Sequence, residues 1–134
     1  MNQSIVLQRP PIVLRSRDAE RLGQLAEVAA QRHPATADFL AGEVARAEVA
    51  PDGAALPGIV CMDSELTFRD ESTGKEKHVA LVYPPDADVE AGRISVLTPI
   101  GAALIGLSVG QSITFETPSG ERRSLTVLSV SEPN

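Results

Sequence analysis

Residues 94–118 read "ISVLTPIGAALIGLSVGQSITFETP", and the way this stretch is used decides the fold. Charged residues make up 22% of the chain, yet none occurs between Ile94 and Phe115. A membrane span fails on length: the apolar run from Ile94 to Leu107 is fourteen residues, against the roughly 20 that a bilayer core demands. Thr98-Pro99 points elsewhere. Thr is an N-cap type, and Pro suits the first helical position, where its missing N–H is not needed and its φ is already helical. Gly106 then supplies a C′ stop. The spacing predicts a strand at Ile94–Leu97, a two-turn helix at Pro99–Ile105, and a Val109-Gly110 turn into another strand. Ile100, Ala103, Leu104 and Leu107 fall at helical spacing and are expected to face a sheet.

The bulk composition narrows the classes. At 134 residues with 43% hydrophobic content the chain fits one ordinary globular unit. Three Phe, one Tyr, no Trp and a net charge of −6 argue against direct nucleic-acid binding, which relies on stacking aromatics and clustered cations. The opening "MNQSIVLQRPPIVLR" has no basic region followed by an apolar core, which predicts no signal peptide and a cytoplasmic protein that does not engage a membrane. Cys61 is the single cysteine, without Cys or His at ligand spacing, and is expected to be a core residue on a strand. His33 and His78 also lack ligand neighbours, and no Gly-rich phosphate loop is present. No metal or other cofactor is expected.

Charge divides the chain unevenly. Residues 1–55 carry six Arg against seven acids, whereas residues 56–134 carry six Lys or Arg against eleven. The break falls in "APDGAALPG", residues 50–58, so we read an N-terminal segment over 1–50, a linker over 51–58 and a second unit over 59–134. In the first, Asp18 to Arg32 places Leu22, Leu25, Ala26 and Ala29 on one face, with Ser16 as the N-cap. "HPAT" interrupts this helix, and Thr36 is expected to cap a second, in which Ala37, Leu40, Val44 and Ala47 repeat the spacing. Two arms of about 14 residues make a short antiparallel coiled-coil hairpin roughly 21 Å long. Its Ala-rich seam should lean on the rest of the chain for stability.

After the linker the period changes to two. Strands are expected at Ile59–Arg69, Lys77–Tyr83, Arg93–Leu97, Ser112–Thr117 and Arg122–Val130, with "TPSGER" turning the last pair. Leu125 and Val127 alternate, then Leu128 and Val130 do; this one-residue slip predicts a β-bulge. The class is α+β: a helical hairpin followed by an antiparallel sheet carrying one short helix.

The segment "TPIGAALIGLSVGQSITFETPSGERRSLTVLSV" resembles the C-terminal domain of bacterial Gre-type transcript cleavage factors, in its Thr-Pro helix start, Ala-Leu-Ile-Gly, Val-Gly-Gln turn and Pro-Ser-Gly hairpin. "DAERL", "MDSELTFRD" and "LVYPPDAD" extend the likeness to most of the chain and narrow it to the regulator of nucleoside diphosphate kinase family, Rnk. The resemblance implies an FKBP-like sheet domain, binding to RNA polymerase near its secondary channel, and an indirect effect on nucleoside diphosphate kinase. It also implies that Leu97, Thr98 and Pro99 face the polymerase. Two departures stand out, since the cleavage factors carry an acid where Leu97 stands and Arg where Ala102 stands. Leu97 and Pro99 also read as core and cap residues, and that alternative stays open.

Fold likeness does not transfer chemistry. The resemblance implies that cleavage factors present an acidic pair at the tip of a long hairpin to hold a second Mg²⁺, which needs converging carboxylate oxygens. Here the tip reads "QRHPATADFLAGE": Asp38 is its only nearby acid, expected in the first turn of the second helix, and Glu43 lies about 140° further round. Prolyl isomerisation, a second activity the fold suggests, needs an aromatic cleft for which four aromatics are too few. We therefore expect a monomeric, non-enzymatic partner of RNA polymerase, contacting it through Leu97–Pro99 and through Arg32, His33 and Asp38 at the tip. A transcript-cleavage cofactor is the alternative.

Overall fold

A computed structural model describes residues 10–117 and 119–131. The reading of a missing signal peptide falls largely on residues 1–9, outside the described part, and Pro118 of the last hairpin lies outside it too.

The chain runs β1 (Val13–Arg15), α1 (Ser16–Ala29), α2 (Pro34–Arg46), β2 (Glu48–Ala50), β3 (Glu65–Asp70), β4 (Lys75–Val82), β5 (Arg93–Ser95), α3 (Pro99–Leu104), β6 (Ser112–Glu116) and β7 (Arg122–Ser131). Strands β3 to β7 form one sheet in the order β5-β4-β3-β7-β6, while β1 and β2 pair separately. The bulge is present: Thr67 faces Ser129 but Phe68 faces Val127, leaving Leu128 as the extra residue. It lets Leu125 and Val127 bury on one side of the slip and Val130 pack against the core on the other.

Four expectations need correction. The sheet is not wholly antiparallel, because β5 runs parallel to β4, as β2 does to β1. Residues 83–92 fold through two 3₁₀ turns, Pro84–Asp86 and Val89–Ala91, and so return the chain in the same direction. The long strand from Ile59 shrinks to Glu65–Asp70, since Asp63 adopts φ +68°, a left-handed conformation that ends pairing and that Asp tolerates better than bulkier residues. Cys61 is therefore buried in the turn before β3 rather than on a strand, its N–H donating to Ser64 Oγ at 3.1 Å. Neither cap predicted for the two hairpin helices holds. Ser16 is already helical, and the amide of Arg17 is capped from 35 residues away by Asp52 Oδ1 at 2.7 Å. Thr36 is buried inside α2, which starts at Pro34, so Asp38 lies beyond its first turn.

The hairpin does lean on the sheet. Leu22, Ala26 and Leu40 join Val60, Leu66, Phe68, Leu104, Ile113 and Leu125 in one continuous core. Phe39 of α2 meets Phe115 of β6 at a centroid distance of 5.7 Å and a 42° tilt, an aromatic pair contributing about 1 kcal/mol beyond its buried area. Glu43, fully buried, is held by two bonds from Arg46 at 2.7 and 3.0 Å, and Arg46 Nη1 donates to the Pro10 carbonyl at 2.6 Å. This ion pair ties the base of the hairpin to the entering chain. Among the described residues no helix is long and apolar enough to cross a membrane.

Gly106 joins the two halves. Its φ is +82°, its N–H donates to the Val60 carbonyl at 2.8 Å, and its carbonyl accepts from Val13 at 3.2 Å. A Cβ there would stand 2.8 Å from Ile12 Cβ. Gly106→Val should therefore cost about 3 kcal/mol or more, combining left-handed strain with overpacking. Urea denaturation measures it; a loss under about 1 kcal/mol would show that this contact is dispensable.

Candidate functional site

The helix start at residues 95–99 is built largely by local hydrogen bonds. Thr98 Oγ1 accepts from the Gly101 amide at 3.1 Å and donates to the Ser95 carbonyl at 2.7 Å, while Ser95 Oγ accepts from Leu97 N at 3.0 Å. Val96 N donates to the Val82 carbonyl at 2.9 Å, which anchors the corner to β4. Gly101 is required, because a Cβ would approach the Ser95 carbonyl oxygen to 2.1 Å. Helix α3 then buries Ala102, Ala103 and Leu104. Leu97, Thr98 and Pro99 are all part-exposed, and Leu97 also packs on the core.

At the other end, Arg32, His33 and Asp38 are exposed around the turn between α1 and α2. His33 N donates to the Ala29 carbonyl at 2.8 Å and precedes Pro34 as the N-cap, without a side-chain bond. The structure does not bring tip and corner together. The start of α1 rests on Tyr83, and its 14 residues carry the tip about 21 Å away. Glu27, which sequence reasoning passed over, lines the groove between the helices together with Asp38, Ala30 and Ala41. His78 is exposed on β4, 3.0 Å from both Thr67 Oγ1 and Glu65 Oε1. No cluster of three or more His, Cys, Asp or Glu is placed to hold a metal among the described residues.

A third locus was invisible as a unit in the sequence. Asp18 and Arg21 of "DAERL", Met62 and Asp63 of "MDSELTFRD", and Tyr83 of "LVYPPDAD" line one small polar cleft with Arg15, Arg17 and Asp52. The Tyr83 hydroxyl donates to Asp18 Oδ1 at 3.4 Å, and the Arg21 guanidinium lies 4.1 Å from the ring centroid. Burial raises the Asp18 carboxyl above its ordinary range, partly offset by the Met62 amide and Arg15. Burial and then the Asp18 charge push Tyr83 to about 12. The cleft joins the start of α1 to the chain leaving β4.

These features define a class: a short helical hairpin fused to a Gre-type sheet domain. Two family models divide the chain accordingly, "Rnk N-terminus" over residues 10–49 and "Transcription elongation factor, GreA/GreB, C-term" over residues 55–132. A regulator of nucleoside diphosphate kinase from Escherichia coli (strain K12) is 38% identical over 122 residues, 91% of this chain and 90% of that one. Transcription elongation factor GreA of Cereibacter sphaeroides is 32% identical over 124 residues, covering 87% and 82%. A solved structure described as a prokaryotic transcription elongation factor GreA/GreB from Nitrosomonas europaea matches at a TM-score of 0.71 and 39% identity, across 92% of this chain and 100% of that one. The chain belongs to the regulator of nucleoside diphosphate kinase family. Its relatives are named as regulators and elongation factors, not as enzymes.

Tyr83 is the sole tyrosine, and there is no tryptophan, so its ionisation can be followed directly at about 295 nm. The native midpoint should lie near 12 and the urea-unfolded midpoint near its ordinary value of about 10. Because the folded value is the higher, the stability from this group is complete below pH 10 and lost as pH rises toward 12. Asp18 has the same sign: the fold holds its proton more tightly, so its ionisation opposes folding and the penalty fades as pH falls through its titration range. Asp18→Asn should lower the native Tyr83 midpoint by removing the adjacent charge. An unchanged midpoint in that variant would refute the contact.

Proposed function

We propose that this chain is a non-enzymatic regulator of transcription that binds RNA polymerase near its secondary channel and competes there with longer Gre-type factors. The curled sheet with α3 on one face corresponds to the FKBP-like domain that the resemblance implies, and the Leu97–Pro99 corner docks at the channel rim. Arg32, His33 and Asp38 at the tip make a secondary contact, and the chain acts as a monomer. Any effect on nucleoside diphosphate kinase is exerted through transcription.

The observation that carries this reading is the chemistry of the tip. Mg²⁺ assistance needs convergent carboxylates, and the one acid that follows Asp38 on α2, Glu43, is buried and committed to Arg46. The arms are short, which leaves little reach into a channel. One observation favours the cleavage-cofactor reading: Glu27 and Asp38 line a common groove. The two readings separate in one assay. A backtracked polymerase mixed with the protein should shorten its transcript no faster than with Mg²⁺ alone; cleavage that disappears in a Glu27→Gln, Asp38→Asn double variant would establish the alternative.

Competition supplies the positive test. Added in excess, the protein should suppress Gre-stimulated cleavage, and a Leu97→Asp, Pro99→Asp double variant should lose that suppression while remaining folded. Deleting residues 32–35 should weaken it less. If the tip deletion abolishes competition and the corner variant competes normally, the hairpin is the main binding surface and the docking assignment is wrong.

A further inference from the structure

We propose that the groove beside the α3 corner seats one protein segment of the polymerase, an aliphatic side chain flanked by carboxylates. This rests on the polymerase-binding reading and specifies the chemistry of the contact. The groove has a volume of about 340 Å³ and runs from β4 across β5 to the start of α3. Ile94, Pro99 and Ile100 give it an apolar surface, and Val89 stands on its wall. Val89 is 85% exposed, the most exposed large hydrophobic among the described residues. Seating a partner there would take that surface out of water.

The charges select the occupant. In a chain of net charge −6, every charged side chain lining this groove is a cation: Lys77, Arg93 and Arg123. Arg123 is already engaged by Asp70 and Glu121. Lys77 and Arg93 form no ion pair among the described residues. An apolar trough between two uncommitted cations is complementary to an aliphatic residue between carboxylates, and that arrangement steers encounter as well as fixing register. A nucleic-acid strand fits poorly, since two cations neutralise few phosphates and the apolar surface would meet a charged backbone.

The full chain with a photo-crosslinking residue at position 89 is bound to core RNA polymerase at low salt, irradiated, and the adduct mapped by mass spectrometry. The expected adduct is a polymerase peptide in which an aliphatic residue has Asp or Glu within one helical turn. In parallel, a Lys77→Glu, Arg93→Glu double variant should bind at least about tenfold more weakly and with a flatter salt dependence; both positions are exposed, and circular dichroism checks that the fold is kept. Binding by the wild-type chain together with an adduct to a basic peptide, to nucleic acid or to a second copy, or with unchanged affinity of the charge-reversed variant, overturns the groove assignment and leaves the polymerase reading intact. Failure of the wild-type chain to bind polymerase at low salt overturns both.

Discussion

The structure depends on the contact at Gly106. Three segments distant in sequence meet there: the chain leaving α3, the stretch at Val60 ahead of β3, and Ile12 and Val13 where β1 begins. No side chain can occupy that space, so the hydrogen bonds to Val60 and Val13 form at close range and Ile12 seals the gap. The parallel pairing of β1 with β2 follows, because β1 is now fixed and the returning end of α2 comes to lie beside it. What the composition presents as two unequal halves thus shares one core.

A hairpin this short has little stability of its own, since nucleating a helix is costly and an alanine seam buries little apolar area. Tertiary ties at its base supply what is missing. Asp52 caps the start of α1, and Tyr83 stacks under Arg21. At the end of α2, the Glu43–Arg46 pair reaches the Pro10 carbonyl. Such buried pairs are weak sources of net stability but are costly to break singly, and they define one arrangement over others. The hairpin therefore has a set direction relative to the α3 corner.

The legible parts of the fold were those written in local chemistry. Thr98, Pro99 and Gly106 announce α3 with cap, start and stop, and the phase slip at Leu128 announces the bulge, because each signal acts within a few residues. The errors share the opposite character. Nothing near Ser16 shows that Asp52 will cap α1, and nothing in an alternating run shows that Asp63 will turn left-handed to receive the fold around it. The parallel return of β5 depends on how residues 83–92 pack, which spacing does not encode. The same holds for the site. The corner was readable from its motif, whereas Glu27 opposite Asp38 and the meeting of Asp18, Arg21, Asp63 and Tyr83 are products of the third dimension.

The brevity of β5 protects the molecule from its own kind. An open sheet edge with several unpaired amides and carbonyls is a template for strand addition and fibril growth. Here that edge is three residues long, and Arg93 exchanges both backbone bonds with Asp88 at 2.9 Å, using up the groups at its outer end. Pro84 and Pro85 lie in the connection that leads there and have no N–H to donate. At the opposite edge, β6 stops after five residues at exposed Glu116. Both margins of the five-stranded sheet are therefore short, which leaves little unpaired backbone for strand addition.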